Sequence, residues 1–228
     1  MTELTTNAFA APTTSKLWEL TAVREIPRLA ASTSTLRSLP RGSENIVAIP
    51  GFSTTDLATA PLRAFLSQLG HDCVGWGLGK NMAQVEAMLG QFLERVAERV
   101  ETTGKPATLI GWSNGGIFAR EAARDRPDLV SHVFTYGTPI FGGPKFTRGA
   151  RFYPSGEVER IAQVVERRNE IPIARPITAF YSRQDHVVDW RACIDTFSPD
   201  VENIEVRSTH AGMGIDRDVW DGIARRLG

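Results

Sequence analysis

Short apolar segments alternate with amphipathic helical segments along most of the chain, and this alternation constrains the fold more than any other feature. The segments that predict strands are "NIVAIP", "HDCVGWG", "PATLIGW", "VSHVFTYG", "PITAFYS" and "ENIEVRS". Helical patterns lie between them, the clearest being "AQVEAMLGQFLERVAERVETTG", whose apolar residues recur on one face. Mostly apolar strands joined by helices are typical of a parallel sheet covered on both faces. The sequence therefore predicts an α/β fold with a mostly parallel sheet of about six strands.

Two parts of the chain fall outside this alternation. Residues 1–44 predict an N-terminal lead-in, with one or two short helices at 15–31 that are interrupted near Pro27. Residues 138–175 contain the loop-like "TPIFGGPKFTRGARFYPSG" followed by a helical "EVERIAQVVERRN", and this is the insertion that is long enough to form a cap over a site. Because 228 residues fit one large core, we expect a single domain over residues 1–228 that carries both additions.

The charge balance argues against a nucleic acid or an anionic membrane as a partner. Lys+Arg and Asp+Glu both number 26, so the formal net charge is zero and no global field attracts a polyanion. No window is long enough to span a bilayer, and the N-terminus lacks the basic and apolar regions of a signal peptide. We therefore expect no stable membrane insertion and, by default, a cytoplasmic location.

No cofactor is indicated by the motifs. Cys73 and Cys193 can form neither a disulfide framework nor a metal-ligand pattern, and we expect them to be buried as small apolar groups. The glycine-rich "GWGLGKN" lacks the G-x-G-x-x-G arrangement at a strand-to-helix junction, which excludes dinucleotide binding there. We expect no metal and no organic cofactor, and we expect these glycines to shape a loop beside a pocket.

A serine stands at one strand-to-helix junction. In "TLIGWSNGGIFARE" the third predicted strand passes into a helix through a G-x-S-x-G centred on Ser113. The pattern alone is weak, because an ordinary tight turn also uses serine and glycine. However, Asp185 follows the fifth predicted strand and His210 follows the sixth, and ligands of open parallel sheets bind at the carboxyl ends of the strands. The order Ser…Asp…His, with the serine at such a junction, predicts a nucleophile elbow and its partners.

The chemistry of acyl transfer explains these residue types. A serine hydroxyl becomes a good nucleophile when a base takes its proton, and a carboxylate holds that base in the right tautomer. The helix that begins near Asn114 directs its first N–H groups toward an oxyanion. A second N–H is expected from the loop "IPGFSTTD" after the first strand, with Phe52 the first choice and Ser53 the second. A plain Pro-Gly turn is the alternative interpretation of that loop.

With these residues the chain resembles the α/β-hydrolase superfamily, specifically its small bacterial esterase- and lipase-like members. The resemblance covers the chain from about residue 45 onward and implies Ser113 as nucleophile, Asp185 as acid, His210 as base, and the amides of Phe52 and Asn114 as oxyanion hole. The segments that carry it are "IPGF", "TAPLRAFLSQLGHDCVGWGLGKN", "LIGWSNGGIFAREAARDRPDLVSHVFTYGTPIFGGP", "YSRQDHVVDW" and "STHAGM".

The sequence departs from the pattern of that superfamily at three places. Asn114 stands where such lipases often have Leu or Met, and "PGF" replaces the commoner His-Gly of the oxyanion loop. His186 stands beside the acid, where glycine is frequent, and its side chain is expected to point to solvent. Only this last departure could disturb the chemistry directly.

Several residues compete for roles at the site. Asp189 also follows the fifth strand, but it precedes Trp190 at the start of a short helix, where a carboxylate is a natural N-cap. We therefore expect catalysis at Asp185 and capping at Asp189. His71 and His132 precede or lie within strands and are expected to be structural.

The expected activity is hydrolysis of a small-molecule carboxylic ester through an acyl-enzyme. Trp76, Leu78 and Phe141 are expected to bind the substrate, although simple packing explains Trp76 and Leu78 equally well. Phe146, Phe152 and Tyr153 could cover an apolar acyl group together with Phe141. Thioester cleavage or acyl transfer would use the same residues. A non-catalytic member of the fold that binds a small molecule is the rival from another class.

Overall fold

The six strands that the structure describes form one parallel sheet. The computed structural model describes residues 9–13, 19, 22, 25 and 38–227. The strands are β1 (Asn45–Ile49), β2 (Asp72–Gly75), β3 (Ala107–Trp112), β4 (Val130–Tyr136), β5 (Ile177–Tyr181) and β6 (Val201–Glu205). The helices are α1 (Ala60–Gln68), α2 (Val85–Thr103), α3 (Asn114–Asp125), α4 (Glu157–Asn169) and α5 (Arg217–Leu227).

The strand order is β2-β1-β3-β4-β5-β6, and every neighbouring pair is parallel. From β1 the chain crosses to one side to form β2 and then returns to the other side of β1 to form β3. This reversal creates a switch point between β1 and β3, and ligands of open α/β sheets bind outside the carboxyl ends of the strands at such a point. A binding site is therefore expected at the loops after β1 and β3.

Alternate residues of each strand face opposite layers of helices, as the two-residue period of a strand requires. Ile46, Ile110 and Phe134 belong to a core that includes Leu66 of α1 and Trp220 of α5. The other face forms a second core with α2 and α3, whose members include Val47, Leu109, Val133, Phe92 and Phe118. Both faces are thus covered, and the predicted α/β class with six strands is confirmed.

A buried ion pair joins α3 to the segment that precedes β6. Arg120 of α3 pairs with Asp195, and both residues are 2% exposed. Asn169 at the end of α4 accepts a hydrogen bond from Arg124 of α3 at 3.2 Å and donates one to the carbonyl of Ile140 at 3.0 Å. The network therefore attaches α4 and the chain after β4 to α3, the helix that begins at Asn114.

The cysteines, the N-terminal helices and the membrane-spanning potential were also predicted from the sequence. Both cysteines are free, Cys193 is buried and Cys73 is half-buried. Apart from residues 19, 22 and 25, the helices predicted at 15–31 lie outside the described residues. Within the part of the chain that is described, no helix has the length and apolar character needed to cross a membrane.

The buried pair predicts a large difference between two arginine substitutions. Arg120→Met leaves the Asp195 carboxylate buried without its counter-ion, which should lower the free energy of unfolding by about 3–5 kcal/mol. Arg126→Met removes the exposed pair with Asp128 and should leave the urea midpoint nearly unchanged. Urea denaturation of both variants measures the difference, and similar midpoints for the two would contradict it.

Candidate active site

The turn between β3 and α3 has an unusual backbone. Ser113 lies between the two elements with φ +53° and ψ −122°, a conformation that residues with a side chain rarely adopt. A Cβ on Gly115 would lie 2.4 Å from the carbonyl oxygen of Ile49, and one on Gly111 would lie 2.4 Å from the Cα of Gly116. The glycines of G-x-S-x-G are therefore required because α3 begins directly against the end of β1 and against its own strand.

The structure brings the three predicted side chains into one hydrogen-bonded row. Ser113 Oγ lies 3.0 Å from His210 Nε2, and His210 Nδ1 lies 2.7 Å from Asp185 Oδ2. Because a carboxylate can only accept, Nδ1 carries the proton donated to Asp185, which leaves Nε2 to accept the serine proton. The other oxygen of Asp185 accepts the amides of Val187 and Val188 at 2.8 Å each. The loops after β3, β5 and β6 thus converge at one edge of the sheet.

Opposing effects act on the imidazole of His210. Burial favours the neutral ring and lowers its pKa, whereas the charge of Asp185, its hydrogen bond, and the charge of Glu19 raise it. The net effect is a pKa above the ordinary value of 6.5. The ring is therefore a stronger base than a free histidine. It is neutral, and able to accept a proton, only when the pH is above this raised pKa.

The two aspartates after β5 have different partners. Asp189 caps the 3₁₀ helix Trp190–Cys193 by accepting the amide of Arg191 at 3.0 Å, and it also pairs with the Arg191 guanidinium at 2.6 Å. Its second oxygen accepts the amide of Ala10 at 3.0 Å. Asp185, by contrast, faces His210. The expected cap at Asp189 is thus observed, and catalysis at Asp185 stays a prediction.

The loop after β1 carries both residues predicted as candidates for the second oxyanion donor. The N–H of Ser53, the second choice of oxyanion donor, donates to the carbonyl of Asn81 at 2.6 Å and is occupied. The N–H of Phe52 has no acceptor among the described residues. Asn114 is the first residue of α3, so its N–H has no partner within the helix. Both first-choice donors are therefore available at this edge of the sheet.

Asn81, which was not singled out from the sequence, holds this loop with three hydrogen bonds and its own segment with a fourth. Its backbone pairs with Ser53 at 2.6 Å and with Thr54 at 2.9 Å. Its side chain donates to the carbonyl of Pro50 at 2.8 Å and accepts the amide of Ala83 at 2.9 Å. Ser53 and Ala83 both have left-handed φ values, and Asn81 is fully buried between them. The residue fixes the loop from both of its ends.

Trp76 does not lie at the site, which corrects its predicted substrate contact. Its side chain is 1% exposed, packs edge-on against Phe118 at 5.4 Å, and donates its indole N–H to the carbonyl of Gly79 at 2.9 Å. Leu78 is partly buried against the same core under α2 and α3. The packing interpretation thus describes both residues.

The aromatic residues of the insertion 138–175 lie in different surroundings. Phe141 stacks on Phe146 at 5.6 Å and contacts the tilted ring of Phe9 at 5.2 Å, in a small cluster that supports the loop after β5. Phe146 is 7% exposed, which corrects the expectation that it covers a substrate. Phe141 and Tyr153 are partly exposed, and their contact with a substrate stays a prediction. Phe152 is 63% exposed, and its ring lies 6.2 Å from that of Phe52. Phe152 therefore borders the loop that carries the open amide.

The remaining histidines have structural contacts. His132 stacks on Phe134 at 4.1 Å and bonds Thr178 at 3.0 Å, and burial lowers its pKa to about 4. His71 is buried and accepts the amide of Glu44 at 3.2 Å. His186 is partly exposed. The first two agree with the structural roles expected for them.

No protein-family model matches the chain, and no curated protein matches it. Solved structures do match. Alpha/beta hydrolase domain-containing protein 10 from mouse superposes with a TM-score of 0.57 at 19% identity, over 82% of this chain and 89% of that one. The Bacillus licheniformis lipase BlEst2 gives 0.62 at 13% identity, over 82% and 93%. The thioesterase domain from the curacin biosynthetic pathway gives 0.54 at 15% identity, over 82% and 92%. The chain has the α/β-hydrolase fold.

The α/β-hydrolase fold accounts for the position of the site. Parallel strands end at the same edge of the sheet, so residues distant in sequence meet there, as Ser113, Asp185 and His210 do. The same fold carries different activities, as the names of the matched lipase and thioesterase illustrate. The fold alone therefore does not determine the reaction, which depends on the side chains at the site.

Asn81 predicts a measurable loss of loop stability. Asn81→Ala leaves the buried carbonyl of Pro50 without its donor and should lower the free energy of unfolding by about 1–3 kcal/mol. Hydrogen exchange of the Ser53 amide should also become faster. Lys80→Ala, at the exposed neighbouring position, is the control and should change neither. Unaltered exchange at Ser53 in the Asn81 variant would contradict this role.

Proposed function

We propose that the protein is a serine hydrolase that cleaves carboxylic esters through an acyl-enzyme. The observation that carries the proposal is the continuous hydrogen-bonded row from Ser113 Oγ through His210 to Asp185, on a strained turn at the switch point of the sheet. A binding protein does not need a nucleophile, a base and an orienting carboxylate in one row. The row therefore favours covalent catalysis over simple binding.

Acylation follows from the direction of these hydrogen bonds. Ser113 Oγ attacks the carbonyl carbon of the ester while His210 Nε2 takes the serine proton. The resulting imidazolium is stabilised by Asp185, whose second oxygen is already held by two backbone amides. Because that carboxylate is oriented before the reaction, little reorganisation accompanies the proton transfer.

The open amides of Phe52 and Asn114 would stabilise the oxyanion that forms on the carbonyl oxygen. The tetrahedral intermediate then collapses, the C–O bond to the alcohol breaks, and the alcohol oxygen receives the proton from His210. Water attacks the acyl-enzyme in the second half-reaction, with His210 again taking and returning the proton. The products are a carboxylic acid and an alcohol, and Ser113 is restored.

The rim of the site favours an apolar acyl group. Phe52 is 36% exposed and Phe152 is 63% exposed, and their rings approach each other beside the open amide. Thioester cleavage or acyl transfer would use the same row and differ only in the leaving group or the acceptor. A series of p-nitrophenyl esters and acyl thioesters of graded chain length would separate these activities.

The nucleophile can be tested directly. Ser113→Ala should abolish labelling by a fluorophosphonate probe, because the probe reacts with the activated serine oxygen, and should lower ester turnover by roughly four to six decades. Circular dichroism and the melting temperature serve as controls for the fold. If the wild-type protein is not labelled, or the variant still is, the proposed function is wrong.

The two aspartates should have opposite phenotypes. Asp185→Asn should keep the melting temperature nearly constant while kcat falls by about four decades, since the tautomer-fixing carboxylate is lost, as in serine proteases. Asp189→Ala should lose roughly 0.5–2 kcal/mol of stability through its cap and change kcat little. Thermal unfolding and steady-state kinetics on both variants measure this, and exchanged phenotypes would make Asp189 the acid.

A further inference from the structure

One carboxylate from the N-terminal lead-in contacts both loops that carry the acid and the base. Glu19 Oε1 accepts the amide of His186 at 3.3 Å and the amide of His210 at 3.3 Å. Glu19 Oε2 accepts the amide of Ala211 at 2.8 Å. His186 directly follows Asp185, so the same side chain is bonded beside the acid and at the base. The loops after β5 and β6 are thereby joined by a residue that belongs to neither.

Other contacts attach the lead-in to the same region. Ala10 donates its amide to Asp189 at 3.0 Å, and Phe9 packs at 5.2 Å from the rings of Phe141 and Phe146. The guanidinium of Arg191 lies 5.3 Å from the centre of the Phe9 ring. Residues 9, 10 and 19 therefore all contact the loop after β5.

We propose that Glu19 is a positioning residue: it fixes the separation of Asp185 and His210 by joining their loops, and it places a second negative charge beside the imidazole. This inference rests on the proposed function for its catalytic meaning. Three amide donors on one carboxylate orient its charge. Because all three come from the two loops, relative movement of those loops would break at least one of these bonds.

The charge of Glu19 has a definite consequence for the base. Among the described residues, the charged groups that act on His210 are Asp185, on the loop after β5, and Glu19, from the lead-in, and both favour the imidazolium and raise the pKa of His210. Removing the Glu19 charge should therefore lower that pKa. The neutral base would then persist to lower pH, and the acid limb of the kcat/KM profile would move in the same direction.

Three variants test the proposal. Glu19→Gln keeps the size and one acceptor oxygen but removes the charge, Glu19→Ala removes every acceptor, and Glu101→Gln makes the same charge change on the exposed side of α2 as a control. The titration of the His210 ring nitrogens is followed by NMR, with the signal assigned from His210→Gln. The pH profiles of kcat and KM are measured in parallel.

In wild type the His210 ring and the kcat/KM profile should titrate above 6.5, as the raised pKa requires. Glu19→Gln should lower both values, and Glu101→Gln should not. Glu19→Ala should in addition lower the plateau of kcat by about 10-fold to 100-fold, with a smaller change in KM, because the reacting groups lose their alignment.

Two results would overturn the inference. One is a Glu19→Gln protein in which His210 titrates as in wild type. The other is a Glu19→Ala protein that loses only stability, with the profile and the plateau unchanged. The NMR titration needs no turnover, so the two proposals can fail separately. If the wild-type protein is neither labelled by the probe nor able to cleave esters, the proposed function is refuted, whereas a lower His210 pKa in Glu19→Gln than in wild type would still support the role of Glu19.

Discussion

The start of α3 lies so close to the ends of β1 and β3 that no side chain fits between them. A Cβ on Gly115 would meet the carbonyls of Ile49 and Pro50 at 2.4 and 2.7 Å. This contact accompanies the strained backbone of Ser113. The strain costs on the order of 1–3 kcal/mol, and the packing around the sheet offsets it. In return, the serine hydroxyl and the Asn114 amide are held at the edge where the loop after β1 ends. Every other group of the site is arranged around this fixed point.

The remaining loops are held by hydrogen bonds to groups outside the row. Asn81 fixes the loop after β1, and the amides of Val187 and Val188 fix Asp185. The indole N–H of Trp112 donates to the carbonyl of His210 at 3.2 Å, so the residue before the nucleophile also holds the base. Loops are ordinarily the mobile part of a fold. Here each is restrained, which is the condition for electrostatic preorganisation at the point where charge would develop.

The sequence predicted the parts of the fold that depend on periodicity and order. Six apolar segments separated by helical patterns gave the strand number, because burial of both faces leaves a continuous apolar signal. Ser113, Asp185 and His210 could be predicted because each follows a different strand, and parallel strands end at one edge. Asp189 was predicted as a cap since it precedes a short helix, and its contact with the Arg191 amide has that geometry.

The sequence could not predict which way individual side chains point or which residues far apart in the chain come into contact. Trp76 is a large apolar residue directly after β2, and no local pattern distinguishes a side chain that lines a pocket from one that enters the core. Glu19 lies 166 residues before Asp185 and has no periodic context, so nothing local indicates its contact with the loop after β6. In the structure, the two aspartates and Glu19 accept hydrogen bonds from different donors. The Asp189 carboxylate takes its donors from Arg191 and Ala10, which leaves the three amides of the neighbouring loops free for Glu19. Each of these three acidic groups therefore has its own backbone donors, and of the three Asp185 is the one that hydrogen-bonds the imidazole.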